Sequence, residues 1–146
     1  GEGLLSVLDR RPLLVKPNRE ELAATAGRPL ATDDDLVAAM RSLNDRGAQY
    51  VLVTQGAGAV WLTGGGEAWR LVPPAIDNVV NPIASGDAVA ATIAWAVRRG
   101  DTMIDAARLA IAAAGQNCRQ LLPCRLDPST LDAEAEKVQA AAVGSR

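Results

Sequence analysis

The sequence predicts an α/β protein with a mostly parallel sheet and a β-hairpin added at one side. Three observations carry this expectation. Short apolar runs, "PLLV" (12–15) and "QYVLVTQG" (49–56), alternate with segments of helical spacing. A glycine triplet, Gly64 to Gly66, divides "GAVWLTGGGEAWRLV" (58–72) as a hairpin turn would. Two Ala-rich stretches separated by Gly100 read as a pair of late helices. With 146 residues, 49% of them hydrophobic, the chain suits one domain or a piece of one, residues 1–146, and can fill a sizeable core.

The elements follow in order. Residues 3–9 place Leu4, Leu5 and Leu8 on one helical face. The chain opens directly on this pattern, with no preceding strand or initiating Met, and so reads as a fragment. Residues 12–15 read as a buried strand ended by Pro17 in "KPN". Residues 18–26 look helical and stop at Gly27, with Pro29 beyond. "TDDDLVAAMRSLNDRG" is a well-marked helix. Thr32 or Asp33 caps it, acidic residues fill its first turn and Gly47 ends it. The Val-rich run 49–56 is a central strand, and 58–72 the hairpin. "PPAIDNVVNP" (73–82) is loop or extended chain. Residues 86–99 and 103–119 are helices, and 129–142, rich in Ala, Glu and Lys, reads as a last amphipathic helix.

Composition excludes several functions. Aromatic residues are 3% and Phe is absent, so the core must be Ala, Val, Leu and Ile. A net charge of −2, from 15 basic and 17 acidic residues without a basic block, argues against nucleic-acid and anionic-membrane partners. The absence of His removes Ser-His-Asp triads, His metal sites and imidazole acid–base catalysis. Cys118 and Cys124 lack zinc spacing and read as free thiols of a reducing cytoplasm. No signal peptide is visible at the N-terminus. The apolar run after Asp87 ends at Arg98-Arg99, too short to cross a bilayer. Neither Gly-x-x-x-x-Gly-Lys-Ser/Thr nor a post-strand Gly-x-Gly-x-x-Gly occurs, which argues against P-loop and dinucleotide sites.

The informative stretch is "NPIASGDAVAATIAWAVRRG" (81–100). From Ala88 to Val97 its only polar side chain is Thr92, so the helix should be buried all round. Its N-terminus carries partial positive charge and unpaired N–H groups. Ala84, Ser85 and Gly86 are small enough for an anion to approach those amides. Asp87 beside them can take a proton from a hydroxyl while the amides stabilise charge on a transferred phosphoryl group. Ordinary capping would use Ser and Asp here too. Pro82 stiffens the approach, and Asn78 and Asn81 are unusual in a purely structural loop.

"NPIASGDAVAA" resembles the C-terminal signature of the ribokinase-like, PfkB-type carbohydrate kinases, in the branch of 1-phosphofructokinase and tagatose-6-phosphate kinase. "KPNREEL" (16–22) is similar to the family's Asn-x-x-Glu motif, and "VLVTQGAGAV" (51–60) to its strand followed by Thr-x-Gly. Gly56-Ala57-Gly58 is one residue shorter than the family's Gly-x-x-Gly, and Ala84 stands where many members have Gly. The resemblance implies the C-terminal portion of a three-layer α/β/α ribokinase-like fold, about half of the family's unit. It implies ATP-dependent phosphorylation of a sugar or sugar phosphate, with Asp87 as base and the amides at Ala84, Ser85 and Gly86 as the anion hole. It places Asn18 and Glu21 at Mg2+ and the nucleotide phosphates, Thr54 and Gly56 at the phosphates, and Ile111 near the adenine with Asn117 further along the same helix. It implies a homodimer for the full-length protein. Read residue by residue, Asn18 is also a helix cap, the glycines of 56–58 an ordinary turn, and Ile111 and Asn117 members of a plain core helix. A nucleotide-binding or regulatory relative without transfer, or a fragment inactive without its N-terminal half, are the alternatives.

Overall fold

Capping decides where the first helices of the computed structural model begin. The model describes residues 2–144, which divide into two units, 2–71 with 140–144, and 72–139. In the first unit, α1 spans Glu2–Leu8, α2 Arg19–Ala26 and α3 Asp33–Asp45. At α2, Asn18 Oδ1 accepts from the Glu21 N–H at 2.8 Å while Glu21 Oε2 accepts from the Asn18 N–H at 2.8 Å. At α3, Thr32 is the cap: its hydroxyl accepts from the Asp35 N–H at 3.1 Å, and Asp35 accepts from the Thr32 N–H at 3.1 Å. Each reciprocal pair satisfies donors that a helix start leaves open.

Asp35 also binds Arg28 at 2.8 Å. That bond, then those from the Thr32 hydroxyl and N–H, lower its pKa from 3.8 to about 2. A carboxylate depressed in the fold contributes stability above its unfolded value and loses it as pH falls towards the folded value. Thermal melts between about pH 5 and about pH 2 should therefore show an acid-side loss of stability that Asp35→Asn makes smaller.

The sheet runs β1 (Leu14–Val15), β2 (Tyr50–Val53), β3 (Val60–Gly64), β4 (Glu67–Val72) and β5 (Gln139–Ala142), in that spatial order. β1 pairs parallel with β2, while β2–β3 and β3–β4 are antiparallel. The sheet expected to be mostly parallel is therefore mixed. The hairpin follows β2 directly and pairs antiparallel against it, while β1 pairs parallel on the other edge of β2. Gly64 opposes Glu67 across the two-residue turn Gly65-Gly66, whose φ values of +61° and +85° suit a right-twisted hairpin and favour glycine. β2 and β3 are buried almost along their whole length, so both faces are covered; β4 buries Ala68 and Leu71 and exposes Glu67 and Arg70. Leu36 and Met40 of α3 join Val51, Val53, Trp61 and Ala68 in one core cluster, each no more than 3% exposed. Burying side chains of this size stabilises the fold by roughly 1.5–3 kcal/mol each.

The second unit holds α4 (Ser85–Arg99), α5 (Met103–Cys118) and α6 (Pro128–Ala135). α4 packs on α5, and α5 packs on α6. Ala106, Ala107, Ala110 and Ala113 of α5 are fully buried, which permits close helix approach. α4 is not buried all round. Ala88, Val89, Thr92, Ile93 and Ala96 form its inner seam, while Ala90, Ala91, Ala94 and Trp95 are exposed. Alanine loses little by facing water, so an Ala-rich composition does not report which sides are covered. Arg99 lies over the Trp95 ring at 4.4 Å and pairs with Asp101 and Asp132.

The expected last helix (129–142) is half strand. α6 ends at Ala135, and its C-terminal turn closes through the Val138 N–H to Ala135 O. The following Ala-rich segment becomes β5, and the Val143 N–H donates to Ala68 O at 2.8 Å. Sheet pairing overrides helix propensity here. Among the described residues, no helix is long and apolar enough to cross a membrane.

Candidate functional site

The turn before α4 is held in an uncommon backbone conformation. Ala84 has φ +62°, left-handed, and offers no side-chain cap. Such a residue costs more as Ala than as Gly. Ala84→Gly is expected to raise unfolding stability by about 1 kcal/mol, read as a shift in denaturant midpoint.

The start of α4 leaves amides open. Among the described residues, the N–H groups of Ala84, Gly86 and Asp87 have no hydrogen-bond partner, and Gly86 and Asp87 are exposed. The Ser85 N–H, expected in the anion hole, instead donates to Pro82 O at 3.2 Å. The Ser85 hydroxyl also donates to Pro82 O, at 2.8 Å, so this residue closes the turn on itself. The Asp87 carboxylate makes no hydrogen bond or ion pair with the described residues, which a capping role would require.

The C-terminal end of α5 grips this approach. The Asn117 side chain, fully buried, donates to Ile83 O at 2.8 Å and to Ser85 Oγ at 3.1 Å, and accepts from the Cys124 N–H at 2.7 Å. Cys118 O accepts from the Val80 and Asn81 N–H groups at 2.7 and 3.1 Å. Asn81 spans the loop, accepting from the Ile83 N–H at 3.0 Å and donating to Leu121 O at 2.9 Å. Asn81 therefore shapes the loop, and Asn78 takes a left-handed φ of +64°. Cys118 and Cys124 are both free thiols.

The same helix borders a cavity of about 290 Å³ within the second unit. Ile111, Ala112 and Gly115 form one wall, and Pro73, Pro74 and Ile76 line it as well. Its charged lining is Arg119, Glu134 and Lys137, the first two paired at 2.6 Å. Ile111 thus lines a cavity. Asn117 is not among its lining residues, and both its donors are used by the α4 turn. The other lining residues escaped sequence reasoning; the Pro-Pro pair and the lone glycine in an Ala-rich helix were the available signals.

In the first unit, Asn18, Thr54 and Gly56 line one open hollow of about 590 Å³. Asn18 and Thr54 are bridged across the end of the parallel ladder. Gly56 has φ +59° in a turn closed by the Gly58 N–H to Gln55 O at 3.0 Å. Arg19, passed over in the sequence, braces the hollow. Its guanidinium donates to Leu30 O at 2.7 Å, Thr32 O at 3.0 Å and Gln55 Oε1 at 2.9 Å. Glu21 lines a neighbouring hollow with Lys16 and Pro17 instead. Among the described residues, no three His, Cys, Asp or Glu side chains converge to hold a metal unaided. Glu21 is exposed and its Oε1 accepts no hydrogen bond from the described residues, which suits Mg2+, an ion held by few carboxylates and several waters.

Residues 2–129 match the family described as pfkB family carbohydrate kinase. The chain is similar to the 1-phosphofructokinase of Escherichia coli (strain K12), 36% identical over 114 residues, which cover 77% of this chain and 36% of that protein. It superposes on the phosphofructokinase-2 of Escherichia coli in complex with potassium with a TM-score of 0.79 at 23% identity, covering 94% of this chain and 43% of that one. It superposes on the ribokinase of Arabidopsis thaliana complexed with ribose and ATP with a TM-score of 0.78 at 24% identity, covering 90% and 43%. The chain thus spans less than half the length of these proteins, and its fold is ribokinase-like α/β. A family match over most of the chain, and an α4 start with open amides beside an unpaired acid, agree: the chain belongs to the pfkB family of carbohydrate kinases.

Proposed function

We propose that the chain is the C-terminal nucleotide-binding and catalytic half of a kinase, one partial domain, that transfers the γ-phosphoryl group of ATP to a hydroxyl of a sugar or sugar phosphate. The observation that carries this is the start of α4: the exposed, unpaired Asp87 carboxylate next to the open Gly86 and Asp87 N–H groups. Asp87 takes the proton of the acceptor hydroxyl as its oxygen bonds to the γ-phosphorus. The bond from that phosphorus to the β-phosphate oxygen breaks, and ADP leaves. Hydrogen bonds from the Ala84, Gly86 and Asp87 amides, with the positive end of α4, stabilise the charge on the phosphoryl oxygens. Ser85 holds the turn rather than the phosphate.

The cavity at Ile111 and Gly115 receives the base, whose flat apolar faces suit walls of Pro, Ile and Ala. In the first unit, Thr54 and Gly56 offer a hydroxyl and a close-approaching backbone to phosphates. Asn18 and Glu21 are the residues to hold Mg2+ through its waters; bound there, the ion neutralises phosphate charge. The remaining catalysis is positioning, as is usual in phosphoryl transfer. Similarity to a 1-phosphofructokinase favours a hexose phosphate as acceptor and a cytoplasmic setting.

The test is ATP-dependent phosphorylation of hexose phosphates by the polypeptide carrying this chain. Transfer supports the reading. ATP binding without transfer to any sugar or sugar phosphate overturns it in favour of a non-catalytic nucleotide-binding relative.

A further inference from the structure

A left-handed non-glycine residue at a functional turn persists only where its surroundings over-determine it. Ala84 has φ +62°, and no side chain caps α4 there. The residues on either side of it are both bound to one group. Asn117 Nδ2 donates to Ile83 O at 2.8 Å and to Ser85 Oγ at 3.1 Å. The amide is itself fixed, since Asn117 is fully buried and its Oδ1 accepts from the Cys124 N–H at 2.7 Å. Ser85 passes the restraint back along the chain through its hydroxyl bond to Pro82 O at 2.8 Å. Two donors and an acceptor of one side chain thus tie the turn at residues 83–85 to the segment at Cys124.

We propose that Asn117 is a positioning residue. Its buried amide locks the left-handed turn at Ala84 from both sides and so sets the direction of the open Gly86 and Asp87 N–H groups and of the Asp87 carboxyl. α5, which carries Asn117, also carries Ile111 and Gly115 of the 290 Å³ cavity. The same helix therefore places the base-sized cavity and the turn in a fixed relation. The consequence for transfer rests on the proposed function; the consequence for the turn does not.

The experiment compares Asn117→Ala, Ala84→Gly and the double variant in the polypeptide carrying this chain, by steady-state kinetics and amide hydrogen exchange. Asn117→Ala is expected to lower kcat about thirtyfold while KM for ATP moves less than about threefold, because the turn is misaimed and the cavity is intact. Exchange at the Ser85 N–H, bonded to Pro82 O, should quicken at least about tenfold. Adding Ala84→Gly, which takes φ +62° without steric cost, should recover about tenfold in kcat. Loss of general core stability would not be repaired selectively in this way. An unchanged kcat in folded Asn117→Ala, or no recovery from Ala84→Gly, overturns the proposal. Should Asn117→Ala fail to fold by circular dichroism, Ser85→Ala keeps the Asn117 bonds to Ile83 and Cys124 and is read by the same two measures. Should the parent turn over no substrate, the proposed function fails and exchange alone decides: unchanged protection in the variants then overturns the lock, and quickened exchange supports it.

Discussion

Asp87→Asn is expected to lower kcat by about 10²- to 10⁴-fold while leaving ATP affinity within a few-fold of the parent. The substitution keeps the shape of the side chain and removes its ability to accept a proton. Asp87 is exposed and bonds to none of the described residues, so no structural contact is lost with its charge. The neighbouring Gly86 and Asp87 amides remain open, and anion binding at the α4 start should persist. Isothermal titration with ATP and initial rates with a hexose phosphate separate the two effects. A variant that transfers phosphate at the parent rate would remove Asp87 from the role of base. A variant that loses ATP binding and turnover together would make it a ligand of the nucleotide instead.

Gly115→Leu is expected to weaken ATP binding by about 100-fold or more. Gly115 lines the cavity together with Ile111, Ile76 and Arg119. A Cβ built there would stand 3.7 Å from Ile76 Cδ1 and 3.9 Å from Arg119 Nη1, ordinary contact distances. The helix backbone therefore accepts a side chain without strain, and Gly115→Ala should gain roughly 1 kcal/mol of stability through helix propensity alone. Leucine extends into the space proposed for the base and takes it. Thermal melts should show Gly115→Leu still folded, and titration should show the graded loss of affinity from Gly through Ala to Leu. Unchanged ATP affinity in Gly115→Leu would place the base elsewhere.

Much of this arrangement is legible in the sequence, and the reasons are local. Asn18–Glu21 and Thr32–Asp35 place acceptors three residues apart, so their capping is written in the sequence. Gly64–Gly66 between apolar runs marked the hairpin. Asp87 and the small residues before it pointed to the α4 start, which does carry an unpaired acid and open amides.

What was not legible depended on contacts distant in sequence. Residues 139–142 are good helix formers, and only the edge of β4 makes them a strand. The sheet became mixed because the hairpin joins β2 itself. The exposed side of α4 was hidden because Ala is at home on either side of a surface. The sequence places Asn117 on the helix of Ile111, and nothing local to it announces its bonds to the α4 turn. Its partners Ile83 and Ser85 lie 34 and 32 residues earlier, and only the packing of α4 on α5 brings them within reach. Ser85 shows the same limit: its small side chain suggested an open amide, and the turn at Pro82 had already taken it.

The central claim is that the start of α4 binds the phosphoryl group in flight. The most direct measurement is the response of the backbone amide NMR signals of Gly86 and Asp87 to a non-hydrolysable ATP analogue with Mg2+. Both signals should move downfield and saturate with the same affinity as signals from Ile111 and Gly115. Saturation at Ile111 and Gly115 with Gly86 and Asp87 unmoved would contradict the account.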